Sequence, residues 1–198
     1  MGRRKTYDRD DLIERSMEMF RDHGYAGTST QMLVEGLGVN RYSLYAEFGD
    51  KQTLFDAALT RYYDEVIEPR FGPLDEPGAG IDDVRAVLEF YASKAGGPAA
   101  GRGCLLCNTA IELGPRDPTD AGFVQRYLRR LSRGFRAALG NANDRGELRG
   151  DVDPREEAEF LTASVLGLFV MLRAAAPPTV IERAARAAIG HLETLRAA

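Results

Sequence analysis

From residue 8 to residue 53 the chain carries a glycine or a short hydrogen-bonding side chain wherever a helix has to begin or end. Gly24, Gly38 and Gly49 follow apolar runs of helical period. Glycine adopts the left-handed backbone that closes a helix at little cost. Thr28, Ser29 and Thr30, then Asn40, then Asp50 stand at the beginnings, where a side-chain oxygen accepts a free backbone N–H, and Asp8, Asp10 and Asp11 suit the positive end of the first helix. This punctuation predicts four helices. The first covers 8–23, with Leu12, Ile13, Met17 and Phe20 on one face. The second carries Leu33, Val34 and Leu37. The third is held between Asn40 and Gly49. The fourth is long, from Lys51 towards Glu68, and is expected to end at Pro69, because proline removes a donor from the helix interior.

The remaining residues are rich in Ala, Leu, Glu and Arg and contain no alternating strand pattern. A Gly/Pro-rich stretch, FGPLDEPGAG (71–80), reads as an internal boundary. Beyond it helices are predicted over 82–95, 104–113, 118–143, 155–174 and 179–196, separated by GGPAAGRG, GELRGDVDP and the Pro177–Pro178 pair. Nine helices and no sheet make an all-α protein.

Composition narrows the function. With 198 residues, 44% hydrophobic and 28% charged, the chain matches an ordinary globular protein. No apolar run of about 18 residues predicts a membrane span. MGRRKTYDRDD lacks the apolar core of a secretory signal, so a cytoplasmic location is expected. Two cysteines exclude a disulfide scaffold, and the two histidines have no partners that suggest a triad or a metal centre. No phosphate-cradling glycine motif appears. No cofactor, metal site or enzymatic activity is expected. The net charge of −4 argues against a broad basic face, so any nucleic-acid contact must be local.

The local candidate is GVNRYSLYAEFGDKQTLF (38–55). On a helical wheel of about 100° per residue, Leu44 and Phe48 fall together on an inner face. Tyr42, Ser43, Tyr45 and Ala46 point sideways or outward, and Arg41 sits at the N-terminal rim. The bracing helix before the Gly38 turn and the polar helix after it form a helix-turn-helix, whose second helix fits a B-DNA major groove. Arg41, Tyr42 and Ser43 are candidates for base edges, with Ala46 against a thymine methyl. Thr28, Ser29, Tyr45 and Lys51, with Arg4 and Lys5 of a basic N-terminal arm, are candidates for phosphates. The simpler alternative is a short surface helix between two others.

Residues 12–55 closely resemble the N-terminal domain of the TetR family of bacterial transcriptional repressors. The resemblance is carried by MFRDHGYAGTST, GVN, the Leu44–Tyr45 pair, Phe48 and GDKQTLF. It implies a nine-helix TetR-like fold, with a DNA-binding domain at 1–50 and a helical domain at 51–198 for dimerisation and effector binding. It also implies a homodimer whose two recognition helices enter successive major grooves of a palindromic operator in double-stranded DNA, and release by a small-molecule effector. Asn40 stands where serine is usual, and Tyr42 where a small residue is usual.

In the second domain FLTASVLGLFVML (160–172) is apolar nearly all round, and the last helix has small and apolar residues at helical spacing. Leu161, Val165, Leu168, Leu172, Ile181, Ala185, Ala188 and Leu192 are therefore candidates for a four-helix dimer interface, the alternative being the core of one subunit. A partly apolar effector pocket is expected among Phe55, Tyr62, Tyr63, Phe90, Tyr91, Phe123 and Tyr127, with Asn108, Thr109 and Glu112 as polar anchors. RGCLLCNTAIELG (102–114) resembles a segment of one TetR-like subgroup and places these anchors next to the DNA domain. Two other readings stay open. One is a helical small-molecule-binding protein without DNA recognition. The other is a thiol-redox regulator using Cys104 and Cys107, a C-x-x-C at a helix N-terminus.

Overall fold

The computed structural model describes residues 7–114 and 118–197, with side chains from residue 122 onward in the second segment. Among the described residues nine helices account for the chain, and the only extended pairing is a single bridge between Leu148 and Arg196. Arg4 and Lys5 lie outside the described residues.

Helix α1, Arg9–Gly27, is capped by the Asp8 carboxylate, which accepts from the Asp10 amide. It is helical up to Gly24, whose backbone (φ 74°, ψ 175°) breaks the run. Helix α2 is Thr30–Leu37. Of its three candidate caps Ser29 is the one used, accepting from the Met32 amide. Helix α3, Arg41–Phe48, is capped by Asn40, whose side-chain Oδ1 accepts from the Ser43 amide at 2.8 Å. Helix α4 begins at Lys51–Tyr62 under the Asp50 cap, which accepts from Thr53. Gly38 is left-handed (φ 67°) and turns the chain between α2 and α3. Gly36 weakens α2 by propensity, and a Cβ there would lie 2.7 Å from the Met19 methyl, the flexible end of a side chain that can turn aside.

Pro69 does not end α4. After Tyr62 the helix widens into a π turn, Tyr63–Ile67, and resumes as Glu68–Phe71 before a 3-10 turn, Gly72–Asp75. The Glu68 amide donates back to the Tyr63 carbonyl, and Pro69 then falls in the first turn of the resumed helix, where no N–H is needed. The Gly/Pro stretch is likewise no open linker. Leu74 and Ala79 are buried, and Asp75 pairs with Arg130 (3.3 Å) and Arg133 (3.0 Å).

The second half comprises α5 (Ile81–Ala92), α6 (Leu105–Glu112), α7 (Pro118–Asp144), α8 (Pro154–Arg173) and α9 (Pro178–Thr194). Helix α8 packs along α7, and α9 packs on α5 and α8. One continuous core runs from Leu12 in α1 to Leu195 beyond α9. This corrects the interface assignment. Leu161, Val165, Leu168, Leu172, Ile181, Ala185, Ala188 and Leu192 are all buried within the single chain. An apolar run that wraps a whole helix supplies a core on one side and a surface on the other, and the periodic large residues took the core. The outward strip consists of Phe160, Ser164, Gly167 and Met171 on α8 with Ala184 and Ala187 on α9. It lines a shallow groove of about 310 Å³ whose floor Leu168 and Ala188 reach. No described helix is long and apolar enough to cross a membrane.

Candidate nucleic-acid interface

Helix α3 is fixed from behind and bare in front. Leu44 and Phe48 are 4% exposed, each burial contributing about 1.5–3 kcal/mol. Tyr42 on the opposite side is 83% exposed, and Arg41 and Ala46 are exposed beside it. Ser43 is half-buried, its amide capped and its carbonyl accepting from the Tyr7 hydroxyl at 3.4 Å. The Arg41 guanidinium lies 5.5 Å from the centre of the Tyr45 ring. The Tyr45 hydroxyl hydrogen-bonds the Thr30 hydroxyl at 3.3 Å, which joins α3 to the start of α2. That bond, then Arg41, holds the Tyr45 phenol below its usual range. Ser29, Thr30, Arg41, Tyr42 and Tyr45 thus share one end of the molecule.

Two of the phosphate candidates are engaged internally. Thr28 is buried, and its hydroxyl donates to the Gly24 carbonyl at 2.6 Å. The Lys51 ammonium donates to the Tyr25 carbonyl at 2.7 Å and the Thr28 carbonyl at 2.9 Å, 4.0 Å from the centre of the Tyr25 ring. Burial lowers its pKa. These two side chains brace the turn between α1 and α2. Thr30 was not singled out from the sequence, where it is one of three adjacent hydroxyls and nothing local tells them apart.

The effector candidates divide. Tyr62, Phe90 and Tyr91 line a cavity of about 300 Å³ under the 98–103 loop, with Arg21, Lys94, Arg102 and Phe169. Tyr63 instead lines a wide open cleft of about 990 Å³, rich in arginine, between α4, α7 and α8. Phe55 is core, with Phe20 and Tyr25 rings centred 4.9 and 4.8 Å away. Phe123 is half-buried against the core. Tyr127 is fully buried, and its hydroxyl accepts from the Cys104 thiol at 3.6 Å. Asn108 donates to the Arg102 carbonyl (2.8 Å) and Thr109 to the Leu105 carbonyl (2.8 Å). Glu112 faces the head rather than a cavity. Its carboxylate accepts from the Tyr25 amide (3.0 Å) and the Ala26 amide (2.6 Å), just past the Gly24 break. A Cβ on Gly24 would come within 2.5 Å of that carboxylate. Polar residues on a mostly apolar helix invite a pocket reading, but here they cap backbone.

Further bonds fasten the end of α1 to the body. The Arg21 guanidinium donates to the Gly103 carbonyl at 3.0 Å. Arg102 pairs with Glu18 and Asp22. Arg173 donates to the Arg21, Asp22 and Gly101 carbonyls, each at 3.1 Å. Sequence reasoning passed over these arginines because their partners lie tens of residues away.

Comparison with known proteins agrees with this geometry. The profile described as "Bacterial regulatory proteins, tetR family" matches residues 12–58. That described as "Tetracyclin repressor-like, C-terminal domain" matches residues 80–188. The chain belongs to the TetR family. Within the family it is 34% identical to the HTH-type transcriptional regulator YezE of Bacillus subtilis (strain 168), over 85% of this chain and 87% of that protein. It is 32% identical to the HTH-type transcriptional repressor ComR of Escherichia coli (strain K12), over 87% and 82%. A cysteine mutant of the TetR family regulator CifR, solved with 26bp double-strand operator DNA, superposes with a TM-score of 0.84 at 27% identity. That superposition covers 96% of this chain and 98% of CifR. The protein is a DNA-binding helix-turn-helix transcriptional regulator of TetR type.

Proposed function

We propose that the chain is a ligand-responsive repressor. It acts in the cytoplasm, catalyses no reaction, binds a palindromic operator as a homodimer, and is released by a small-molecule effector. The observation that carries the DNA contact is the contrast across α3, where Tyr42 is 83% exposed and Leu44 and Phe48 are 4% exposed. A helix held so rigidly presents Arg41, Tyr42 and Ser43 to base edges. Ser29, Tyr45 and the α2 N-terminus face phosphates, joined by Arg4 and Lys5 from the arm. Thr28 and Lys51 contribute by holding α2 in place.

In this reading residues 1–50 read DNA, and residues 51–198 pair the subunits and bind the effector. The groove along Phe160, Ser164, Gly167, Met171, Ala184 and Ala187 is the dimer surface, since small residues let helices approach closely and a two-fold operator needs a two-fold protein. A gel shift with the DNA upstream of the protein's own gene tests the reading. Binding should fall steeply as salt rises, because counterions are released. No shift across the neighbouring intergenic DNA supports instead a helical small-molecule-binding protein that does not read DNA.

A thiol-redox switch has less support. Cys104 and Cys107 are both buried, and burial, reinforced by the Cys104 thiol, pushes Cys107 up to about 12. A protonated, inaccessible thiol is a poor nucleophile.

A further inference from the structure

The cavity of about 300 Å³ has a one-sided charge. Among the described residues three cations line it, Arg21, Lys94 and Arg102, and no carboxylate does. Arg102 is neutralised from the side by Glu18 and Asp22. The Arg21 guanidinium donates to the Gly103 carbonyl and lies over the Tyr62 ring, and the Lys94 ammonium lies over the Phe90 ring. The remaining wall is mainly aromatic and aliphatic, with Phe90, Tyr91 and Phe169 edge to face. Tyr91 is 6% exposed, and its hydroxyl has no hydrogen-bond partner among the described residues. A buried, unpartnered hydroxyl is costly, and a bound acceptor would recover that cost.

From this juxtaposition we propose that the effector is a small apolar monocarboxylate. Its body fills the aromatic wall, its carboxylate accepts from the Tyr91 hydroxyl, and it sits in the field of Lys94, Arg21 and Arg102. The assignment rests on the reading of this chain as an effector-responsive regulator. Burial and the neighbouring Cys104 thiol hold the Tyr91 phenol well above its usual range, so it stays a donor at neutral pH. The volume lies at the lower limit of small-molecule sites, about 300–1,000 Å³, which favours a compact acid over a multi-ring compound. The site also has a built-in lever. Arg21 and Arg102, together with Arg173, tie α1 to the 98–103 loop. A carboxylate drawing on their charge competes with Glu18, Asp22 and the Gly103 carbonyl, and so loosens the head. The coupling is reciprocal, so operator DNA must lower the affinity for the acid.

The test is direct titration calorimetry on the full chain without DNA. The probes are benzoate, phenylacetate and octanoate, each against its neutral counterpart, benzamide, phenylacetamide and octanol. Binding of at least one acid is expected, with its neutral counterpart at least about tenfold weaker. Tyr91→Phe should weaken that acid about tenfold while leaving the melting temperature unchanged or higher, because it removes an unpartnered hydroxyl. Lys94→Gln should weaken the acid and flatten its salt dependence. No saturable binding of any acid, equal binding of acid and neutral counterpart, or full affinity in both variants overturns the proposal. Because DNA is absent, these outcomes are independent of operator recognition. Repeating the acid titration with operator DNA reads the coupling alone.

Discussion

The solvent face of α3 and the Gly24 end of α1 use polar residues in opposite ways. Around α3 the capping bonds are local, with longer bonds from Tyr7 to Ser43 and between Thr30 and Tyr45. Ser29, Asn40 and Asp50 each bond an amide three residues on, and Arg41 and Tyr42 are left facing solvent. At the Gly24 end the bonds are long-range. Glu112, Arg102, Arg173 and Arg21 cross 80 or more residues to hold backbone and charge together. A surface that must meet a partner keeps its donors free, whereas a joint that must transmit a displacement ties them up. Substitutions of the exposed Arg41 and Tyr42 should therefore alter DNA binding with little effect on stability, and substitutions at the Gly24 end should alter both stability and response.

The largest effect is expected where both regions depend on a second copy. Gly167 lies in the α8–α9 groove, and a Cβ there meets nothing within 4 Å. Gly167→Arg should fold, sediment as a monomer and bind the operator at least about a hundredfold more weakly, since two linked heads gain by avidity. A dimeric variant would move the interface elsewhere. Next, Arg41→Ala should cost about 1–3 kcal/mol of operator binding and leave the urea midpoint unchanged. A shifted midpoint would mean that α3 is less free than its exposure implies. Glu112→Ala should do the reverse at first reading. It leaves the Tyr25 and Ala26 amides without their acceptor, and should lower unfolding free energy by about 1–3 kcal/mol in urea titration. Asn40→Ala removes one cap and should cost about 1 kcal/mol in the same assay.

These contrasts also mark what the sequence made legible. Caps and glycine stops act over three or four residues, so Asn40, Asp50, Gly38 and the inner pair Leu44 and Phe48 could be read directly. The π turn before Pro69 escaped because proline's local rule is to stop a helix, and only packing in the body carries the axis past it. The eight residues expected at a dimer interface are core of the single chain, because a helix apolar on all sides does not say which side its own chain covers. Arg21, Lys94 and Arg102 were missed for a related reason. Each has ordinary neighbours in sequence, and only the fold places three cations around one cavity.

The smallest predicted effect concerns the thiols. Since Cys107 is held up to about 12, the folded state keeps this proton more tightly than the unfolded chain. Its contribution to stability is complete below the unfolded thiol's pKa of about 8.5 and declines as pH climbs from there. Iodoacetamide at pH 8 should leave native Cys104 and Cys107 unmodified and alkylate both in urea, read by mass spectrometry. Rapid native alkylation would reopen a redox role.

The account depends most on the outward side of α3 lying in the duplex. Placing an iron-chelate cleavage reagent on the exposed position by Tyr42→Cys, with the native thiols buried, measures this directly. Strand scission is expected at two sites on the operator about 10 base pairs apart, one for each subunit's helix. Scission spread evenly along the DNA, or absent while the protein remains bound, would contradict the account.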